Sequence, residues 1–165
     1  RPVRKPLVLF TPKSLLRLPE AFSPLAAFTA GGWNRVLDDP LAPQRAQRVV
    51  MCTGRVYYEL ARARHAAALE DAVALIRVEE LYPFPEAQLQ QVLAAYGAAE
   101  QFLWCQEEPQ NQGAWFQVWH HLRHCLPRGG DVSYAGRPPS AAPASGYAAL
   151  HQAQLDALLN AALGT

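Results

Sequence analysis

Two pairs of adjacent glutamates are the residues of this sequence best placed for acid–base chemistry. Glu79 and Glu80 follow one apolar run of the strand type, and Glu107 and Glu108 follow another. A carboxyl group acts as a general acid or base when its pKa is raised towards neutrality. In the competing interpretation, these carboxylates accept hydrogen bonds from turn amides or pair with arginines of the same domain.

A second group of residues has the chemistry of an anion site. Cationic and small polar side chains stand at the ends of several predicted elements: Lys13, Ser14, Arg17, Thr53, Gly54, Arg55 and Arg137. Arginine forks suit phosphate or carboxylate, and the free amides of a strand-to-helix turn favour an anion. The sequence contains neither a G-x-G-x-x-G motif nor a P-loop, so a nucleotide-binding fold of its own is not predicted. Pairing of these arginines with the four glutamates is the alternative.

Histidines of one predicted helix have the spacing of metal ligands, but they do not make a complete set. His120 and His124 are four positions apart and share a helix face, with His121 and Cys125 close by. No partner set completes a tetrahedral site, so we predict no metal site and assign the histidines to surface or capping roles. The cysteines, Cys52, Cys105 and Cys125, all lie in apolar runs, where buried thiols are inert.

The stretch WCQEEPQNQGAW, residues 104–115, organises the elements that position these side chains. It predicts a strand, a polar turn and an amphipathic helix. The predicted turn residues are Glu107, Glu108, Asn111 and Gly113. Apolar residues then recur at helical spacing, namely Trp115, Val118, Trp119, Leu122 and Leu126. Phe116 lies off this stripe, and an aromatic residue in that position often marks a partner surface.

The remaining pattern alternates strands with helices. We predict strands at 7–10, 49–52, 73–78, 101–105 and 132–134, and helices at 57–65, 86–96, 115–126 and 147–163, with one helical turn at 14–17 and a loop at 135–145. This spacing predicts an α/β fold with an open, mostly parallel but mixed sheet of about five strands and helices on both faces. Residues 19–47 are rich in proline and glycine and predict an irregular connection. We therefore divide the chain into 1–47 and a domain at 48–165.

Composition excludes several classes of function. Fifteen Lys and Arg against fourteen Asp and Glu leave a net charge of +1, which gives no reason to expect nucleic acid or an anionic membrane as partner. No apolar run approaches the roughly 18 residues of a membrane span. Three widely spaced cysteines argue against a disulfide framework and for a reducing compartment. The sequence starts without Met, so we expect a piece of a longer protein.

Five segments in order resemble one known family. They are PLVLFTPKSLLR, RVVMCTGRVYYEL, ALIRVEELYPFPE, FLWCQEEPQNQGAW and YAGRPPSAAPASGY followed by His151. They resemble the C-terminal end of the thiamine-diphosphate-dependent E1 component of 2-oxoglutarate dehydrogenases, over nearly the whole chain. The resemblance implies a fold like the transketolase C-terminal domain, preceded in 1–47 by the end of a pyrimidine-binding domain and a linker.

The resemblance also implies an activity for the parent enzyme. Such an enzyme oxidatively decarboxylates 2-oxoglutarate and passes the succinyl group to the lipoyl group of its E2 partner, a dihydrolipoyl succinyltransferase. Thiamine diphosphate and Mg²⁺ would be bound by upstream domains, so no catalytic residue is assigned to this chain and the isolated chain is expected to be inactive. The domain would support a homodimer and border a site for AMP or acetyl-CoA, formed by the seven anion-site residues.

Two other interpretations are open at this point. The chain can be a non-catalytic regulatory or assembly module that binds an adenine nucleotide, or part of a related decarboxylase of another 2-oxo acid. The expected location is the bacterial cytoplasm, or the mitochondrial matrix if the source is eukaryotic.

Overall fold

A computed structural model describes residues 4–6, 8–43 and 45–165, and the chain divides into two compact units, Arg1–Gly32 and Trp33–Thr165. The first unit contains 3₁₀ turns at Leu15–Arg17 and Pro19–Ala21 and a short helix α1 at Leu25–Thr29. The turn at Leu15–Arg17 confirms the helical turn predicted there.

The strand predicted at residues 7–10 is not found where the structure describes that segment. Leu7 lies outside the described residues, while Val8, Leu9 and Phe10 are exposed and have no regular structure. A strand needs a neighbour to pair with its backbone groups, and the described part of the first unit contains no strand. The prediction is therefore wrong for residues 8–10.

The second unit is built on one five-stranded sheet. Its strands are β1 (Val36–Leu37), β2 (Arg48–Cys52), β3 (Val73–Val78), β4 (Gln101–Pro109) and β5 (Ser133–Arg137), in the spatial order β1-β3-β2-β4-β5. The short edge strand β1 is antiparallel to β3, and every other neighbouring pair is parallel. The predicted mixed, mostly parallel sheet is confirmed.

Helices cover both faces of this sheet. They are α2 (Val56–Ala66), α3 (Glu86–Leu93), α4 (Trp115–Cys125) and α5 (Ala148–Leu163), with a 3₁₀ turn at Ala94–Tyr96 after α3. Side chains alternate across each strand, so Met51 packs with α3 and α4 while its neighbour Val50 packs with α2 and α5. The four predicted helices and the two-faced packing are confirmed. None of the helices in the described part of the chain combines the length and hydropathy needed to span a bilayer.

The connection predicted to be irregular contains more structure than its composition indicates. It holds α1 and strand β1, and Asp39 within it is buried. The Asp39 carboxylate pairs with Arg64 of α2 and accepts the backbone N–H of Leu75 in β3 at 2.8 Å. Strand β1 and Asp39 therefore pack within the second unit, whereas the division of the protein's domains at residue 47 stays a prediction.

Strands β4 and β5 are both longer than predicted. We predicted a strand at 101–105, but β4 continues to Pro109, which pairs with Arg137 across a register shift. Proline fixes a φ that an extended chain accepts, and it biases the preceding residue towards the β region. The predicted loop at 135–145 is wrong in its first residues, because β5 runs to Arg137.

Candidate functional site

The carboxyl ends of the four parallel strands β2 to β5 meet at one edge of the sheet, the position where open α/β sheets hold their ligands. Charged residues from different strands are paired there. Arg55 follows β2, and its guanidinium donates from Nε to Glu107 Oε2 at 3.2 Å and from Nη1 to Glu59 Oε1 at 2.7 Å. Its Nη2 also pairs with Glu107. The hydrogen bonds that Arg55 donates to Glu107 raise the pKa of Arg55.

Glu59 is the least satisfied member of this cluster. Its Oε1 accepts a hydrogen bond from Nη1 of Arg55, but its Oε2 is buried without a hydrogen-bond partner among the described residues. Burial raises the pKa of the Glu59 carboxyl, and the neighbouring Arg55 opposes that shift. A carboxylate in this position favours protonation more readily than an exposed glutamate does.

Arg137 of β5 is buried, and its guanidinium forms hydrogen bonds with residues of β4 and of the last helix, α5. Its Nε donates to the carbonyl of Glu107 at 2.9 Å, and its Nη1 donates to Gln154 Oε1 at 2.8 Å and to the carbonyl of His151 at 3.3 Å. Its Nη2 lies 3.3 Å from Nδ1 of His151. All three nitrogens of the guanidinium therefore have partners, and none of these partners is a carboxylate.

The other predicted anion ligands fall into two sets. Thr53 and Gly54 lie beside Arg55 in the turn after β2, where Gly54 has a φ of +70°. Lys13, Ser14 and Arg17 are exposed and belong to the first unit, around its turn at Leu15–Arg17. The convergence of the two sets on one phosphate stays a prediction.

Glu79 and Glu80 also form ion pairs with arginines. Glu79 accepts Nε of Arg77 at 2.8 Å, and Glu80 lies 3.3 Å from Nε of Arg35. Among the four predicted acid–base candidates, Glu108 differs, since its exposed carboxylate has neither an ion pair nor a hydrogen bond within the described residues. For Arg55, Glu79, Glu80 and Glu107 the geometry matches the ion-pair alternative.

The turn after β4 is held by a residue that the sequence analysis did not single out. Gln106 is buried, and its Nε2 donates to the carbonyls of Pro109 at 3.1 Å and Gln112 at 2.7 Å. Its Oε1 accepts Nε1 of Trp104 and the backbone N–H of Trp115, both at 3.0 Å. A glutamine among buried strand residues is the sequence signal that could have marked it, because a buried amide needs partners.

Two of the predicted turn residues do have structural roles. Asn111 and Ser140 exchange two hydrogen bonds, from Asn111 Nδ2 to the Ser140 carbonyl at 3.0 Å and from the Ser140 N–H to Asn111 Oδ1 at 2.9 Å. Gly113 has a φ of +66°, and a Cβ atom there would lie 2.8 Å from Nε2 of Gln106. Glu107 and Glu108 belong to β4 itself and not to the turn.

The structure shows the surroundings of the histidines and cysteines singled out in the sequence. Within the described ranges, no three His, Cys, Asp or Glu side chains cluster as a metal site would require. His121 pairs with Glu86 of α3. Burial raises the pKa of Cys105 to about 12 and that of Cys125 to about 11, and it also raises the pKa of Cys52. These thiols are protonated at neutral pH and are poor nucleophiles.

A cavity of about 530 Å³ opens at the same edge of the sheet. Its walls are the loop after β3, at residues 81–84, and the first turns of α4. Gln106 and Thr53 also line it, and Glu108 contributes a carboxylate. Its size is in the range of ligand pockets, which are few in a protein and hold a small number of oriented polar groups.

The sequence pattern of one protein family, 2-oxoglutarate dehydrogenase C-terminal, matches residues 22–163. The chain is 48% identical to the 2-oxoglutarate dehydrogenase E1 component of Azotobacter vinelandii over 96% of its length, and 48% identical to that of Cupriavidus necator over 96%. It is 45% identical to the Haemophilus influenzae E1 component over 99% of its length. The chain spans 17–18% of the length of these relatives.

Proposed function

The chain belongs to the 2-oxoglutarate dehydrogenase C-terminal family, and on that premise we propose that it forms the C-terminal part of an E1 component. The observation that carries this proposal is the similarity to E1 components along almost the whole chain. The parent enzyme oxidatively decarboxylates 2-oxoglutarate and transfers the succinyl group to the lipoyl group of a dihydrolipoyl succinyltransferase, E2. The bacterial relatives support a bacterial cytoplasm as its location.

Thiamine diphosphate and Mg²⁺ are bound by parts of the parent outside this chain. Arg55 at the sheet edge is paired with Glu59 and Glu107, and the described residues offer no set of three metal-ligating side chains. When bound, the cofactor supplies the electron sink for decarboxylation. This chain contributes a folded α/β domain that supports the upstream domains and the homodimer.

The experiment that tests the proposed function compares the isolated chain with the full gene product. Both are incubated with 2-oxoglutarate, thiamine diphosphate and Mg²⁺, and release of CO₂ is measured. We expect turnover by the full gene product and none by the 165-residue chain. Turnover by the chain alone would contradict the proposal that the cofactor is bound outside this chain. No turnover by the full gene product would contradict the proposed decarboxylase activity.

The chain also contributes to an effector site for the phosphate of AMP or acetyl-CoA. Lys13, Ser14 and Arg17 are exposed around a single turn, which supports an anion contact there. The second part of the site is Thr53, Gly54, Arg55 and Arg137. A phosphate that reaches Arg55 competes with the Glu107 carboxylate, because both would use the same guanidinium fork.

Calorimetric titration of the full gene product with AMP and with acetyl-CoA tests this site. Arg17→Ala should weaken binding about tenfold with an unchanged melting temperature, since about 1.4 kcal/mol corresponds to tenfold. Arg137→Ala should weaken binding and also lower the melting temperature, because it leaves the partners of a buried guanidinium unpaired. Arg128→Ala, at an exposed position, is the control. Unchanged affinity in Arg17→Ala would remove the site.

A further inference from the structure

The lining of the cavity at the carboxyl edge of the sheet includes a stacked pair of aromatic rings. The rings of Phe84 and His121 stack with centroids 4.7 Å apart and planes 7° from parallel. The carboxylate of Glu86 bonds Nδ1 of His121 and so fixes the orientation of that ring. Tyr82 adds a third ring that lines the cavity and is 93% exposed. Faces of aromatic rings attract a cation through their quadrupole.

Within the described ranges, the cavity is lined by one carboxylate, that of Glu108, and by one imidazole, that of His121, which pairs with Glu86 of α3. Its lining includes the Glu108 carboxylate and, among the residues that the structure describes, no Lys or Arg. The Glu108 carboxylate is exposed and has no partner in the described part of the chain. Gln106 offers little to a ligand, because its amide already bonds the backbone of the turn and of α4. Glu108 therefore contributes a carboxylate to the same cavity as the Phe84–His121 stack, and Thr53 and Gln117 add uncharged polar side chains.

We propose that this cavity binds an arginine side chain of a partner polypeptide. A guanidinium is planar, stacks on aromatic faces and donates two parallel hydrogen bonds to a carboxylate. These are the two features that the cavity combines, in the Phe84–His121 stack and in Glu108. The inference does not depend on the activity proposed above.

Exposed aromatic area beside the cavity favours a polypeptide over a free cation. The Tyr82 ring lines the cavity and is almost fully exposed. A polypeptide covers such area with the residues that flank its arginine, and interfaces concentrate their binding energy in a central anchor with aromatic neighbours. A small cation would leave the Tyr82 ring in water.

The test is a titration of the ¹⁵N-labelled chain with the peptide acetyl-Gly-Leu-Arg-Leu-Gly-amide, followed by NMR. A matched peptide carries citrulline, which keeps the shape of arginine but has no charge. We expect the arginine peptide to shift the amide signals of Gly113, Gln117 and His121. The citrulline peptide should bind about fivefold more weakly or worse, as expected for the loss of a partly exposed ion pair.

Variants assign the effect to the cavity. Glu108→Gln should weaken binding of the arginine peptide by a similar factor. Glu100→Gln should leave that binding unchanged, because Glu100 is an exposed residue just before β4, at the opposite end of the strand. Gln117→Lys leaves Glu108 intact but places a cation in the cavity, so it should also weaken binding. A spectrum with unchanged dispersion verifies the fold of each variant.

Several outcomes would overturn the proposal. Equal affinity for the arginine and citrulline peptides, unchanged affinity in Glu108→Gln, or no binding at all would each do so. Self-association of the chain that disappears in Glu108→Gln, measured by light scattering, would assign the cavity to a second copy instead. Failure here leaves the decarboxylation assay unaffected, so the two proposals are tested separately.

Discussion

Gln106 Oε1 accepts the backbone N–H of Trp115 at 3.0 Å, so that a side chain of β4 holds the first turn of α4. The Nε2 of the same amide donates to the carbonyls of Pro109 and Gln112 within the intervening turn. One buried amide thus joins the strand, the turn and the helix that form one side of the cavity.

Replacing Gln106 should destabilise the chain strongly. Gln106→Ala removes the partner of a buried helix N–H and of two turn carbonyls, and each buried group left unpaired costs about 1–3 kcal/mol. We expect the free energy of unfolding to fall by about 2–4 kcal/mol in urea titrations. Gln117→Ala, at an exposed position, is the control. A loss of unfolding free energy no larger than that of the control would show that the Gln106 amide does not stabilise the junction of β4, the turn and α4.

The two glutamates at the end of β4 should differ in their contribution to stability. Glu107→Gln breaks the ion pair with Arg55. Both side chains of this pair are about one-third exposed or less, so the free energy of unfolding should fall by about 1 kcal/mol. Glu108→Gln should change the melting temperature little, because its carboxylate is exposed and without a partner among the described residues. Thermal melts of both variants make the comparison. Equal losses would contradict the pairing.

The acidic cluster at Arg55 should produce a measurable pH dependence. Burial raises the pKa of Glu59 above its value of 4.5 in the unfolded chain. The folded state therefore binds this proton more tightly, so the stabilising effect of the protonated form is complete below pH 4.5 and is lost as pH rises through the raised pKa.

Glu59→Gln removes this titration. The free energy of unfolding of the wild type minus that of Glu59→Gln should fall as pH rises from about 4 to about 7. Glu100→Gln serves as the control, since Glu100 is exposed. A difference that is constant with pH, or that increases, would contradict the assignment. The charged neighbours of Glu59, which are Arg55, Glu107, His151 and Arg137, are present in both proteins.

Phe116 tests the proposed homodimer of the parent. Its ring is 66% exposed in this chain, whereas the neighbouring Trp115 is buried. We expect Phe116→Asp to weaken the dimer of the full gene product in light scattering, because a charge replaces an apolar contact at an interface. Gln117→Asp adds the same charge one position along and is the control. An unchanged dimer in Phe116→Asp would exclude this surface.

The sequence predicted the elements whose signals are local. The apolar run of β3 and the helical spacing of Trp115, Val118 and Leu122 predict a buried strand and an amphipathic helix, and both are present. The two-residue strand β1 was not predicted, because its pairing with β3 depends on a contact between residues about 40 positions apart in a region rich in proline and glycine.

The partners of polar residues could not be derived from residue type. Arg55 and Glu107 are 52 positions apart, and only their meeting at one sheet edge makes the ion pair. The sequence analysis left phosphate binding and pairing with carboxylates as alternatives for Arg55. From their residue types, Glu107, Glu108, Asn111 and Gly113 are predicted to form the turn between β4 and α4. The burial that makes Gln106 important is a tertiary property, so a local pattern does not show it.

The most direct test of the central claim measures transfer of the acyl group. The full gene product is mixed with thiamine diphosphate, Mg²⁺, a lipoylated domain of E2 and one 2-oxo acid, and the mass of the lipoyl domain is followed. We predict a succinyl adduct with 2-oxoglutarate, and little adduct with pyruvate or 2-oxoadipate. An unmodified lipoyl domain with 2-oxoglutarate, or a faster adduct with another 2-oxo acid, would contradict the assignment of this chain to a 2-oxoglutarate dehydrogenase E1 component.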